Sequence, residues 1–271
     1  MKKEYKSLKF TNDFMFAKVM RNKKLCKKLL ELILGVQIEK IEYPEEQKTI
    51  DISKNARSVR LDVYVKDNKC TIYNTEMQTT NPRNLPKRSR YYQGLIDLNL
   101  IEKGEDFNKL NKSYVIFICT EDIFGQGRHI YTFENLCIQD TSLPLKDETI
   151  KVFLNPYGTL DDVDEELKNF LKYVADGIPV DDFTRELESE VALARINKGW
   201  EAEYMTLMMK EQEKYNEGLE HGLVQGIQQG ESLLGTLINK LFADGRSQDV
   251  ELVASDENAR KQLYREYGLV E

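Results

Sequence analysis

The 271 residues predict an α/β fold in which a mixed central sheet is flanked by helices and followed by a helical C-terminal extension. Three observations carry this reading. Helix-like and strand-like segments interleave up to about residue 158, Ser113 to Cys119 form a continuous apolar run typical of a strand covered on both faces, and the chain beyond about Leu160 is helical only.

In order along the chain, Thr11-Asn12-Asp13 offers a helix cap, and Phe14, Phe16, Val19, Met20, Leu25, Leu29 and Ile33 recur with helical spacing up to Gly35, a helix stop. Lys23 and Lys24 mark a break between two helical pieces. Strands are predicted over Gln37 to Ile50, Val59 to Lys66 and Cys70 to Thr79, the last two joined as a hairpin by the turn Asp67-Asn68-Lys69. Pro82 and Pro86 bracket a loop, Lys87 to Ile101 reads as a helix closed by Gly104, and further strands are expected around His129–Leu136 and Thr149–Leu154. Leu160–Ala175 is an acidic helix, Asp182 to about Asn239 is helical in composition, and three short helices, Leu233–Leu241, Ser247–Ala254 and Glu257–Tyr267, end the chain. The expected division is therefore a core over 1–158, a helical extension over 159–231 and a small module over 232–271.

Composition excludes several classes of function. With 41% hydrophobic residues a packed core is affordable, and no stretch approaches the roughly 18 apolar residues of a membrane span. No apolar signal core follows the basic start, so a cytoplasmic protein is expected. Cys26, Cys70, Cys119 and Cys137 lie far apart without a CxxC pair and read as reduced thiols. With His129 and His221 as the only histidines, a histidine cluster is excluded, and chemistry must run on carboxylates, amides and lysines. The net charge of −7 hides an asymmetry: residues 1–28 hold ten Lys and Arg against Glu4 and Asp13, whereas 161–190 is dominated by acids. Such a chain can turn one basic face to phosphates, or simply carry solvated helix faces of opposite sign.

The chemistry-bearing segment is Arg60-Leu61-Asp62-Val63-Tyr64-Val65, followed after the turn by Tyr73-Asn74-Thr75-Glu76-Met77-Gln78. Alternation places Leu61, Val63 and Val65 on one face and Arg60, Asp62 and Tyr64 on the other; Asn74, Glu76 and Gln78 share a face. A three-residue turn at 67–69 would pair Lys66 with Cys70 and Asp62 with Asn74. Asp62 and Glu76 would then be diagonal neighbours, roughly 7–8 Å apart at the backbone. Two carboxylates at that distance can share a hard divalent cation such as Mg²⁺, with a third polar group, Gln78, orienting the attacking water. The competing reading is a pair of solvated acids on a hairpin.

These segments resemble the PD-(D/E)xK phosphodiesterases, specifically the recombination-promoting nuclease / putative transposase branch. The resemblance rests on the helix at Thr11–Phe16, the R-x-D strand (Arg60, Asp62), the E-x-Q strand (Glu76, Gln78), the helix opening Lys87-Arg88-Ser89-Arg90-Tyr91-Tyr92-Gln93 and the glycine repeat at 218–230, in that order over about 8–230. It implies a restriction-endonuclease-like core and an Mg²⁺- or Mn²⁺-dependent DNA endonuclease of mobile-element, recombination or phage-defence type. Asp62, Glu76 and Gln78 would be catalytic, and Asp62, Glu76, Met77 and Asp13 would form the metal set. Arg60, Arg88 and Arg90 would contact DNA phosphates, unless Arg60 pairs with a neighbouring acid, together with Tyr92 unless that ring only packs. Gln78 departs from the lysine common in the superfamily and can act only through hydrogen bonds. The alternative is a catalytically weak or inactive nuclease fold serving as an oligomeric interaction or defence scaffold. Gly218, Gly222, Gly226 and Gly230 make a side-chain-free groove edged by Leu219, Leu223, Val224 and Ile227, for which a second copy is the simplest partner and the chain's own 233–267 helices the rival.

Overall fold

A computed structural model describes residues 4–43, 49–50, 59–80 and 83–270, with backbone alone at 49–50 and 59–60. Lys2, Lys3 and Pro82, and the middle of the strand expected over Gln37 to Ile50, lie outside the described residues. The chain forms two compact units, Met1–Tyr204 and Met205–Glu271.

The first unit begins with α1 (Asp13–Val19) and α2 (Lys23–Leu34). Each has an asparagine cap: Asn12 Oδ1 accepts from Met15 N at 3.2 Å, and Asn22 Oδ1 accepts from Lys24 N at 3.1 Å. Such caps satisfy amide donors that the first helical turn leaves open. Gly35 ends α2 at φ +63°, a left-handed conformation suited to glycine. The strands follow as β1 (Ile41–Glu42), β2 (Thr49–Ile50), β3 (Val59–Arg60), β4 (Val63–Asp67), β5 (Ile72–Gln78), β6 (Ser113–Cys119), β7 (Ile130–Phe133) and β8 (Thr149–Leu154). Among the described residues β2 and β3 pair only with each other. The remaining six make one mixed sheet in the order β1-β4-β5-β6-β8-β7, with β5, β6 and β8 parallel and the other pairings antiparallel.

All seven residues of β6 are buried, as the apolar run requires of a central strand. The helix α3 (Leu85–Leu100) packs on β6. Beneath it, Tyr92, Leu95 and Ile96 join Val115, Phe117 and Phe153 in one apolar cluster. Against β5 packs α1, and α1 and α2 in turn meet α5 (Asp182–Ile196), which also packs on α4 (Glu165–Asp176). Helices expected to lie in a separate extension from residue 159 thus belong to the same compact unit as the sheet. Their apolar residues explain why: Leu167, Phe170, Leu187 and Val191 are buried, and Phe10 meets both Phe170 and Tyr173 edge-on or tilted.

The hairpin register differs from the expected one. The turn is Asn68-Lys69-Cys70, with Cys70 at φ +66°, so Asp67 faces Thr71 rather than Lys66 facing Cys70. The Asp67 carboxylate fixes this choice by accepting from Lys69 N, Thr71 N and the Tyr73 hydroxyl, each at 2.8 Å. The consequence is Tyr64 opposite Asn74 and Val63 opposite Thr75; one residue further, Asp62 lies across from Glu76 instead of diagonal to it. Regular pairing stops at Val63, and Leu61 packs in the same cluster as Tyr64, so the strict alternation expected from Leu61 onward is broken at Asp62.

The helix α6 (Lys198–Ala243) begins in the first unit and continues into the second. In the second unit its last turns bury Leu237 and Leu241 against Val253 of α7 (Ser247–Ser255) and Leu263 of α8 (Glu257–Glu266). Gly218, Gly222, Gly226 and Gly230 are exposed, and a methyl group added at any of them would meet nothing within 4 Å. Within this chain the glycine stripe therefore does not pack against the 233–267 helices. No helix among the described residues is long and apolar enough to cross a membrane.

Candidate active site

The two acids lock each other in place. Asp62 N donates to Glu76 Oε1 at 3.2 Å, and Met77 N donates to Asp62 Oδ2 at 3.0 Å. Each carboxylate is thus tied to the strand that carries the other, which holds the pair side by side at the point where β4 leaves regular pairing. Asp62 is half-buried and Glu76 is only 4% exposed. Burial pushes the Glu76 carboxyl well above its usual range, and the Asp62 charge adds to this; the Asp62 N–H and the Arg88 charge oppose it.

Both acids line a cleft of about 450 Å³, together with Asp13, Gln78, Arg88 and Tyr92. Asp13 reaches it from the first turn of α1, and Gln78 from the end of β5. Gln78 Oε1 accepts from Arg88 Nη1 at 2.7 Å, while its Nε2 donates to the Thr80 carbonyl at 2.7 Å and the Thr80 hydroxyl at 3.0 Å. Arg88 Nη2 donates to the Tyr92 hydroxyl at 2.7 Å. The Tyr92 ring is buried and stacked on Phe117, with centroids 5.9 Å apart. Asn74, on the same face as Glu76, is fully buried, and its side chain also acts to lower the Glu76 carboxyl against the burial.

Several expected residues take other places. Among the described residues no group of three His, Cys, Asp or Glu side chains can hold a metal, so Asp13 lines the cleft without completing a three-acid set with Asp62 and Glu76. Met77 contributes its N–H to Asp62, and its buried thioether is a soft donor unsuited to Mg²⁺. Arg90 is exposed on α3, and the side chain of Arg60 lies outside the described residues. Lys18, one of the ten cations of the basic N-terminal segment, is buried: its ammonium bonds both Glu203 oxygens at 2.8 and 2.7 Å and lies 5.1 Å from the Phe14 ring centre. The cleft also contains residues the sequence did not single out, chiefly Lys9 and Thr80. Thr80 carries no sequence signal beyond closeness to Gln78, and Lys9 only its membership of the basic N-terminal segment.

The donor set suits a hard divalent cation. Two oxygen-bearing acids are forced together, one of them almost wholly desolvated, and a cation between them offsets both the burial and the Asp62 charge that raise the Glu76 carboxyl. Two protein carboxylates with the remaining positions left to water and phosphate is the usual Mg²⁺ arrangement.

A mixed sheet flanked by helices, with an acid pair on an antiparallel hairpin and an E-x-Q strand end, defines a PD-(D/E)xK nuclease-like protein. A family model described as PD-(D/E)XK nuclease family transposase matches residues 10–220, and the chain belongs to that family. No curated protein and no solved structure matches the chain.

Proposed function

We propose that the chain is a divalent-metal-dependent DNA endonuclease acting in the cytoplasm, in recombination, transposition or defence. The observation that supports it most directly is the reciprocal lock between Asp62 and Glu76 inside a cleft that also holds Arg88. Asp62 and Glu76 would hold Mg²⁺ or Mn²⁺, which when bound supplies a Lewis acid at the phosphate and an acidified water. The reaction is addition of water across a phosphodiester bond. The water oxygen bonds to phosphorus, the bond from phosphorus to one ester oxygen breaks, and the two water protons end on the departing hydroxyl and the new phosphate monoester. The protein's own share is to hold the two acids side by side, to exclude bulk water from Glu76, and to present positive charge from α3. Arg90 and Lys87, exposed on the same helix, suit contacts to flanking phosphates.

The test is conversion of supercoiled plasmid to nicked and linear forms with Mg²⁺ or Mn²⁺. Glu76→Ala and Asp62→Ala should each lower the rate by at least about 100-fold with the melting temperature preserved or raised. Cleavage by Glu76→Ala at the wild-type rate would remove the assignment.

The alternative, a metal-free scaffold, draws its support from the engagement of both ends of the Gln78 amide and from the exposed apolar side chains Leu219, Leu223 and Ile227 on α6. Mn²⁺ raises the melting temperature of a nuclease and leaves that of a scaffold unchanged. Homodimerisation through Gly218–Gly230 fits either reading. It predicts a dimer in light scattering that Gly222→Leu plus Gly226→Leu converts to monomer.

A further inference from the structure

Gln78 cannot play the part first expected of it. Its amide nitrogen donates to the Thr80 carbonyl and hydroxyl and its oxygen takes a guanidinium N–H, so the amide is directed to Thr80 and Arg88 rather than to a water. What this arrangement does is seat a cation. The Arg88 guanidinium is fixed by one hydrogen bond to Gln78 and one to Tyr92, with its central carbon 5.3 Å from the Tyr92 ring centre and 5.5 Å from that of Phe117. An arginine normally settles against a carboxylate when one is near; this one lies in a cleft with two acids and its charge acts on Glu76, yet its hydrogen bonds go to Gln78 and Tyr92. Its partners are neutral, and a guanidinium has five N–H donors, so most remain for a ligand.

We propose that Arg88 is the cation of the reacting centre, supplying from helix α3 the positive charge that lysine supplies from the strand elsewhere in the superfamily, with Gln78 as its positioning residue. The proposal rests on the nuclease reading above. Negative charge builds on the non-bridging phosphate oxygens as the attacking oxygen bonds to phosphorus, and a planar guanidinium held in advance can donate to two of them at once. Arg88 is given no proton to move; its contribution is electrostatic alone. The rival cation is Lys9, which lines the same cleft but is exposed and lacks the aromatic and amide seat.

The experiment is plasmid cleavage by the full chain in Mg²⁺, with kcat and KM for wild type, Arg88→Gln, Arg88→Lys, Lys9→Gln and the double variant Gln78→Lys/Arg88→Gln. Melting temperatures and DNA affinity in Ca²⁺ are measured alongside. Arg88→Gln should lower kcat roughly 100-fold or more with a much smaller change in affinity. The double variant returns a cation to the strand and should recover at least about tenfold over Arg88→Gln alone, a gain that a purely structural role for Arg88 would not give. Lys9→Gln should cost less than Arg88→Gln. Arg88→Lys keeps the charge and guards against loss of the fold. Arg88→Gln within threefold of wild type, no gain in the double variant, or a larger loss from Lys9→Gln overturns the proposal and leaves the nuclease reading standing. A wild type silent in both Mg²⁺ and Mn²⁺ overturns both.

Discussion

At the scale of single residues, Glu76 and Lys18 show how far burial changes the meaning of a charge. Glu76 has its carboxyl raised above the ordinary glutamate value of 4.5, chiefly by burial and then by Asp62. A raised folded value means that the folded state binds the proton more tightly than the unfolded chain. Stability from this group is therefore complete below 4.5 and is lost as pH rises through the folded value. In metal-free protein Glu76→Gln removes that loss while keeping an acceptor for the Asp62 N–H. The variant should match wild type in urea melts at acid pH and exceed it increasingly as pH rises, by no more than about 1.4 kcal/mol per pH unit. A constant gap across pH would contradict the burial argument. Lys18 makes a different point. Because its ammonium is enclosed by Glu203 and aromatic rings, Lys18→Ala should cost roughly 2–3 kcal/mol of stability and leave the salt dependence of DNA binding nearly unchanged.

At the scale of elements, the β4–β5 turn decides the site. One residue's shift in the turn moves the pairing by two, and the left-handed Cys70 together with the Asp67 hydrogen bonds selects the shifted form. Asp67→Ala should loosen that selection. We expect about 1–2 kcal/mol of destabilisation from three lost acceptor contacts, and weaker Mn²⁺ binding in calorimetry because the acids no longer face each other squarely. Helix ends give a simpler test. Gly35 sits at φ +63° with open space around it, so Gly35→Ala should cost about 1 kcal/mol through backbone strain alone, and Gly35→Asn less.

At the scale of the whole molecule, two features matter: the charge available to DNA and the exposed length of α6. Affinity for duplex DNA should fall steeply with salt, through exposed Lys87 and Arg90 with Arg88 at the centre; an affinity flat between low and moderate salt would contradict a backbone-dominated interface. On α6, glycine costs a helix about 1 kcal/mol relative to alanine, and at Gly222 and Gly226 a methyl group meets nothing within 4 Å among the described residues. Gly222→Ala plus Gly226→Ala should therefore stabilise the isolated chain. The same pair should weaken a dimer that depends on close backbone approach. Circular dichroism melts at low and high protein concentration separate the two effects.

The sequence by itself determined the alternation of elements, the buried strand at Ser113–Cys119, the caps at Asn12 and Gly35, and the acids at positions 62 and 76. All of these follow from local spacing, from residues that tolerate special backbone angles, or from short runs whose burial shows in composition. Tertiary structure alone decided that Asp62 faces Glu76 directly, that Lys18 is an interior cation, that residues 165–196 complete the core, and that Gln78 holds Arg88. The physical reason is range. The Lys18–Glu203 contact joins residues 185 positions apart, and the Arg88–Gln78 pair joins a helix to a strand end; no periodicity records either. The hairpin register turned on a single left-handed residue whose cost is repaid only by the carboxylate that closes around it.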